Sequence, residues 1–172
     1  MDLARTSAIV LIKAFAEIFA GRQGYNLKIC GDGPRKTQLQ RLAFDLGVQT
    51  DVEFLGQLSK GEILRRIDGA HVVVLSSRVE TFGVPLIEAM ARGRPVIATR
   101  CGEPITIVTP ECGILVEVDN VAQMGAALQQ MSTGIKIYDP DAIRQSSLRR
   151  YGPEVFRRTA VSMYQAALKN TK

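Results

Sequence analysis

Apolar residues recur along the chain with two spacings, one typical of helices and the other of strands. Apolar positions three or four residues apart, bounded by glycine, proline or capping residues, indicate helices. These helices are predicted over residues 7–20, 35–46, 60–68, 85–92, 121–131, 141–149 and 153–169. Short runs rich in valine, isoleucine and leucine predict strands over 27–30, 52–55, 71–75, 95–99 and 113–116.

Three spans carry further local signals. Ser59, followed three residues later by Glu62, predicts a capping box at the start of a helix. The β-branched run 71–75 predicts a strand buried on both faces, with the single histidine, His71, in a structural role. The sequence Asp-Pro-Asp at 139–141 has the spacing of some metal sites, but its position before a helix favours a turn with an N-cap.

Strands that alternate with helices of this length predict an α/β fold, a Rossmann-like three-layer sandwich built on a mainly parallel sheet. The length of 172 residues indicates one domain. Right-handed crossovers place helices on both faces of such a sheet, and ligands bind beyond the carboxyl ends of its strands. We therefore expect the binding site in the loops 31–34, 56–59, 76–85 and 99–104.

Composition limits the class of protein. The hydrophobic fraction of 46% and the charged fraction of 23% are those of an ordinary globular domain. The chain has neither an apolar run long enough for a membrane span nor the layout of a signal peptide at its start. The three cysteines are odd in number and lack metal-like spacing, so we expect a reduced, cytoplasmic compartment.

The net charge of +5 is concentrated at one end of the chain. Residues 144–172 hold seven lysines and arginines against one glutamate, whereas the rest is close to neutral. Because the main body lacks a basic surplus and the aromatic fraction is only 6%, we exclude nucleic acid as a partner. The basic end instead indicates a solvated helix face, a docking element or, as a weaker alternative, peripheral contact with an anionic membrane.

Residues 76–98 contain the side chains and backbone groups with the clearest potential to bind a ligand. They leave a buried strand, cross a loop containing Gly83 and enter a helix at Pro85, where unpaired N–H groups and the helix dipole favour an anion such as phosphate. Glu88, expected in the first turn, can accept hydrogen bonds from a vicinal diol such as ribose, and Glu80 precedes the loop. The pattern fits a nucleotide site. It fits equally a helix start stabilised by Glu88 and a solvated loop acid at Glu80.

The same segment resembles the signature of glycosyltransferase family 4, the retaining nucleotide-sugar transferases of GT-B fold. That signature is a glutamate, seven residues and a second glutamate, with Phe-Gly inside and Ala-Met-Ala-x-Gly-x-Pro-Val after it. The matching residues are Glu80, Phe82, Gly83, Glu88, Ala89, Met90, Ala91, Gly93, Pro95 and Val96. Segments 27–34, 52–56 and 113–119 are also similar to the family, so the resemblance spans about residues 9–130.

The resemblance implies the C-terminal half of a GT-B fold, a single donor-binding domain over residues 1–172 with 153–169 as a terminal helix. The implied reaction transfers a hexosyl group, with retention, from a nucleotide sugar such as UDP- or GDP-hexose to a glycan, lipid or small-molecule acceptor. We expect the family's acceptor-binding N-terminal domain to be absent, so that a neighbouring chain or a missing domain would have to supply it. Two alternatives remain: a non-catalytic nucleotide-binding or scaffolding domain, and a fragment of a GT-B epimerase or phosphorylase.

The resemblance also assigns roles to individual residues. Glu80 would act at the catalytic centre by contacting the transferred sugar, and Glu88 would hold the ribose hydroxyls. Backbone N–H groups would contact the sugar and diphosphate in the Phe82–Val84 segment. The remaining donor-binding positions are Gly31, Gly33, Gly56 and Leu58, with Arg5 as the candidate phosphate contact. The family implies no metal and no cofactor, because the helix start and basic side chains neutralise the leaving diphosphate.

One strand of the family has no counterpart here. In the family a Gly-Arg strand lies between the strands that resemble 27–30 and 71–75, and residues before Ser7 cannot form it. We expect the sheet to close this gap directly or to borrow a strand, and an unpaired seam is the least expected outcome. Such a chain, also without an acceptor domain, is expected to transfer no sugar by itself.

In the family the terminal helix packs on the acceptor domain, so we further expect part of the apolar stripe at Phe156, Ala160, Met163 or Tyr164, and Ala167 to be exposed or packed on a neighbouring molecule.

Overall fold

A computed structural model describes residues 7–169, in which strands and helices alternate. The strands are β1 (Leu27–Cys30), β2 (Val52–Gly56), β3 (Val73–Leu75), β4 (Val96–Thr99) and β5 (Gly113–Val116). The helices are α1 (Ala8–Phe19), α2 (Lys36–Asp45), α3 (Lys60–Asp68), α4 (Val84–Ala91), α5 (Pro104–Ile107), α6 (Val121–Gly134), α7 (Pro140–Tyr151) and α8 (Pro153–Lys169).

The predicted elements are confirmed, with small shifts at their ends. The short helix α5 was not predicted, because its four residues are too few to show a helical period. The capping box at Ser59 is present, and the Ser59 side chain accepts a hydrogen bond from the backbone N–H of Glu62. Asp139 caps α7 by accepting from the N–H of Asp141 at 2.9 Å, which confirms the turn interpretation of that motif.

Every strand pair is parallel, but the strands form two sheets. β1 pairs with β2, starting at Leu27 opposite Val52. β4 lies between β3 and β5, with Val96 opposite both Val73 and Gly113. The parallel α/β class is therefore confirmed, with the five strands of residues 7–169 in two groups.

Within residues 7–169 no backbone pairing joins the two sheets, and how the gap between them is closed stays a prediction, since it also involves residues outside the described part of the chain. Lys28 of β1 is exposed, and Val73 and Val74 of β3 are only partly buried. The same exposure corrects the prediction that 71–75 is buried on both faces. His71 is exposed and precedes the strand.

The helices pack in two groups around the central strand β4. α1 packs against α2 and α6, whereas α4 packs against α5 and α7. All four residues of β4 are buried. Ile12 of α1 and Met90 of α4 have no exposed surface. This arrangement is the layered sandwich that the pattern predicted, and it orients the loops of the candidate site.

The terminal helix α8 presents an apolar surface to solvent. Phe156, Met163 and Tyr164 are 77%, 68% and 75% exposed, which confirms the expectation of an uncovered stripe at these positions. Ala160 is partly buried, and the side chain of Ala167 lies outside the part that the structure describes. None of the helices within residues 7–169 combines the length and apolarity needed to cross a membrane.

Candidate functional site

The loops after β1 and β2 lie side by side. The N–H of Gly31 donates to the carbonyl oxygen of Gly56 at 2.8 Å, which forms a single bridge beyond the parallel ladder. Both glycines are buried and have positive φ angles of 124° and 68°. Lys36 places its Nζ 3.7 Å from the position that a Cβ of Gly56 would take, so a cation missed by sequence reasoning lies beside this bridge. Gly33 and Leu58 flank the bridge as half-buried residues.

The loop after β3 enters α4 one residue earlier than predicted. Gly83 is the N-cap, with φ 62° and ψ 31°, and Val84 is the first helical residue. Pro85 occupies the second position, which its missing N–H permits. Glu88 is therefore the fifth residue of α4, so the expectation that it lies in the first turn is wrong. The left-handed backbone of Gly83, which few other residues adopt, causes the early start.

Glu80 binds the turn that follows it. Its Oε1 accepts backbone N–H groups from Thr81 at 2.9 Å, from Phe82 at 3.1 Å and from Gly83 at 3.1 Å. The interpretation of Glu80 as a merely solvated loop acid is therefore wrong. Phe82, by contrast, projects outwards and is 71% exposed. The Gly83 N–H, which the family resemblance assigns to sugar and diphosphate, therefore donates to Glu80 in this structure.

Glu88 forms an ion pair with a residue of α3, the helix that follows the loop after β2. Its Oε1 forms an ion pair with Nζ of Lys60, the first residue of α3. The side chain of Glu88 is 18% exposed and that of Lys60 is 66% exposed. Because Lys60 directly follows the loop after Gly56, the pair places Glu88 beside that loop, as expected. Sequence reasoning missed Lys60, whose position at the end of that loop is its only signal.

The loop after β4 packs against the turn that follows Glu80. Gly102 has φ 65°, and a Cβ added to it would overlap the carbonyl oxygen of Glu80. A Cβ added to Gly83 would lie 2.9 Å from Cδ1 of Ile107 in α5. Ser77 donates its N–H to Oγ1 of Thr99 at 3.0 Å. The four loops predicted from the strand ends therefore lie in two contacting pairs. The loop 31–34 contacts 56–59, and the loop 76–85 contacts 99–104.

A third carboxylate, Asp119, lies near the start of the Glu80 loop. It accepts the Ser7 hydroxyl at 2.6 Å, and Nε of Arg78 lies 3.0 Å from its Oδ2. These two partners, the hydroxyl first, hold the pKa of the Asp119 carboxyl below its usual value. Arg78 is a cation two residues before Glu80 that sequence reasoning did not select. Arg5, the selected phosphate contact, lies outside the described residues.

The pKa of Asp119 predicts a dependence of stability on pH. A lowered pKa in the folded state contributes stability above the unfolded value of about 3.9 and loses it as pH falls through the folded pKa. Asp119→Asn should therefore reduce the free energy of unfolding at pH 7 by less than about 1 kcal/mol, since the group is partly exposed. Asparagine tolerates the φ of 57° at this position. Urea unfolding at pH 7 and pH 3 tests this, and a deficit that is the same at both values would contradict it.

Two surface cavities lie away from these loops. One of about 470 Å³ is lined by Asp68, Ala91, Arg92, Arg94 and Arg144. Another of about 380 Å³ lies between α2 and β2 and is lined by Gln40, Ala43, Gln49, Val52, Glu53 and Phe54. Neither cavity is lined by a residue of the predicted site.

Comparison with known proteins identifies the family. Residues 6–139 match the model of the family described as glycosyl transferases group 1. A GDP-mannose-dependent monoacylated alpha-(1-6)-phosphatidylinositol monomannoside mannosyltransferase of Corynebacterium glutamicum is 33% identical over 149 residues, which cover 83% of this chain and 37% of that protein. A D-inositol 3-phosphate glycosyltransferase of Corynebacterium kroppenstedtii is 35% identical over 131 residues, 71% of this chain and 29% of that protein. The chain thus spans about a third of these relatives.

Solved structures show the same fold. The Anabaena protein HepE, in complex with UDP and glucose, matches with a TM-score of 0.83 at 19% identity, over 95% of this chain and 46% of that one. The C-terminal domain of the glycosyl transferase group 1 protein LpcC from Francisella tularensis matches with a TM-score of 0.78 at 24% identity, over 87% and 82% of the two chains. With the sequence match over residues 6–139, these likenesses show that the chain belongs to the glycosyl transferases group 1 family and has the α/β fold of GT-B glycosyltransferases.

Proposed function

We propose that this chain is the donor-binding domain of a retaining glycosyltransferase. The reaction transfers a hexosyl group from a UDP- or GDP-linked donor to a hydroxyl of a glycan, lipid or small-molecule acceptor. The observation that carries the proposal is the Glu80–Glu88 unit, the two glutamates that follow β3 within the family match, of which Glu80 binds the turn before α4 and Glu88 pairs with Lys60 beside the loop after β2. The name of one relative specifies GDP-mannose, and HepE was solved with UDP, so both donor types are represented among similar proteins.

The donor would lie across the two pairs of loops. Gly31, Gly33, Gly56 and Leu58 would line the base, and Glu88 would accept the ribose hydroxyls. The start of α4 favours the negative charge of a diphosphate, and Arg5 is the candidate side chain for it. We expect the reaction to need no metal or cofactor. We place it in the cytoplasm, in accord with three unpaired thiols at Cys30, Cys101 and Cys112.

Glu80 would position the transferred sugar. Its carboxylate fixes the turn 81–83, and this turn sets the position of Val84, whose N–H would face the charge that develops on the leaving diphosphate. We assign Glu80 a contact with the sugar and no covalent step. An acceptor has to be held by a second domain, because two reactants must be brought into register before transfer.

We expect the isolated chain to bind a nucleotide diphosphate and to transfer no sugar. Isothermal titration with UDP, GDP and ADP, and with their hexose conjugates, measures the binding. Product analysis with candidate acceptors measures transfer, first for the isolated chain and then for a fusion to an acceptor-binding domain of the family. Turnover by the isolated chain with an acceptor other than water would contradict the second expectation. Binding without transfer in the fusion would favour a non-catalytic nucleotide-binding domain.

A further inference from the structure

We propose that Lys60 competes with the donor nucleotide for Glu88, so that binding of the nucleotide requires the Lys60–Glu88 ion pair to open. This inference rests on the proposed function, since it takes Glu88 as the acceptor for a ribose diol. It adds Lys60 of α3 as a residue that sets donor affinity through its ion pair with Glu88.

The geometry makes Lys60 the solvent-side partner of a largely buried carboxylate. The Glu88 side chain retains 18% of its surface, whereas Lys60 retains 66%. A ligand that contacts Oε1 of Glu88 therefore meets the Lys60 ammonium there. Of the two atoms at the carboxylate, Oε1 is the one that the ammonium engages.

The helix that carries Lys60 is held rigidly at this end. Ser59 donates its N–H to Oε2 of Glu62 at 2.8 Å and its hydroxyl to the same oxygen at 2.6 Å. These bonds fix the backbone of the first turn of α3, so opening of the ion pair has to occur by rotation of the long Lys60 side chain. That movement requires no change in the fold, because an exposed lysine has many accessible rotamers.

The competition has a definite chemical cause. Two neighbouring ribose hydroxyls donate to the oxygens of one carboxylate, and the Lys60 ammonium occupies an acceptor position on Oε1 and the space beside it that the diol would need. Partly exposed ion pairs contribute up to about 1 kcal/mol, which corresponds to a change in affinity of roughly two- to five-fold. Removal of Lys60 should therefore tighten nucleotide binding by that factor at low ionic strength. The gain should shrink as salt screens the pair.

The test is a double-mutant cycle read by titration with UDP and GDP. The proteins are the unmodified chain, Lys60→Met, Glu88→Gln and the double variant. We expect Lys60→Met to tighten binding roughly two- to five-fold in the Glu88 background and to have no such effect in the Glu88→Gln background. Lys28→Met is the matched control, because Lys28 also pairs with a glutamate, with its Nζ 3.9 Å from Glu53, and it lies on β1. Weaker binding by Lys60→Met alone would overturn the inference and make Lys60 a positioning residue.

A second readout follows Lys60 directly. Acetylation of lysines, measured by mass spectrometry, reports the accessibility of each amine. Addition of UDP or GDP should accelerate labelling of Lys60 relative to Lys28, and Glu88→Gln should do so without nucleotide. Nucleotide binding with unchanged labelling of Lys60 would overturn the competition and leave the proposed function standing. Absence of nucleotide binding in both the unmodified chain and Lys60→Met would overturn the proposed function as well.

Discussion

Glu88→Ala is expected to weaken binding of UDP or GDP by roughly 1.5–3 kcal/mol, which is a loss of about 10- to 150-fold in affinity. The cause is loss of charge-assisted hydrogen bonds from the ribose hydroxyls to a carboxylate that is 18% exposed. The released Lys60 cannot replace the carboxylate as an acceptor for the ribose hydroxyls, because an ammonium donates hydrogen bonds and accepts none. Isothermal titration of the variant and the unmodified chain measures the difference.

The matched control is Glu53→Ala. Glu53 also lies near a lysine, with its Oε2 3.9 Å from Nζ of Lys28, but it is on β2 and more than half of its side chain is exposed. We expect its removal to leave nucleotide affinity unchanged. Both variants should unfold in urea near the midpoint of the unmodified chain, since neither residue belongs to the core. Equal affinity of Glu88→Ala and the unmodified chain would remove Glu88 from the binding site.

Gly102→Ala should lower the free energy of unfolding by more than about 3 kcal/mol and also abolish donor binding. Gly102 has φ 65°, and an added Cβ would overlap the backbone carbonyl of Glu80. A flexible side chain could yield to the new methyl group, but here the neighbouring atom belongs to the main chain. The turn that Glu80 closes must therefore shift, and the backbone N–H groups at 81–83 shift with it.

Gly47→Ala separates the cost of the left-handed backbone from the cost of the contact with the Glu80 carbonyl in the loss of stability expected for Gly102→Ala. Gly47 has a similar φ of 70°, but an added Cβ there meets nothing within 4 Å. Its cost should be only the left-handed backbone penalty of about 1–2 kcal/mol. Urea unfolding compares the two variants, and titration with UDP or GDP tests binding in each. Equal losses of stability would show that the contact with Glu80 is not the cause.

Features that depend on neighbours along the chain could be predicted from the residues alone. The capping box at Ser59 and Glu62 needs only three residues of separation, and the cap at Asp139 needs two. The parallel α/β class follows from the order of strands and helices, and the same order places the site loops at one edge. The start of α4 was missed by one residue, because the left-handed conformation of Gly83 depends on the packing of α5 against it.

Contacts between distant parts of the chain were decided by the tertiary structure. Lys60 and Glu88 are 28 residues apart, and Ser7 and Asp119 are 112 apart, so no local pattern links either pair. The pairing of the described strands is of the same kind. A run of apolar residues identifies β1 and β3 as strands but carries no information about which edges pair. Residue types and local spacing therefore determined the elements, the family motif and the loops of the site. Side-chain partners and sheet pairing were determined only by folding, because they depend on distances between segments that the chain brings together from far apart.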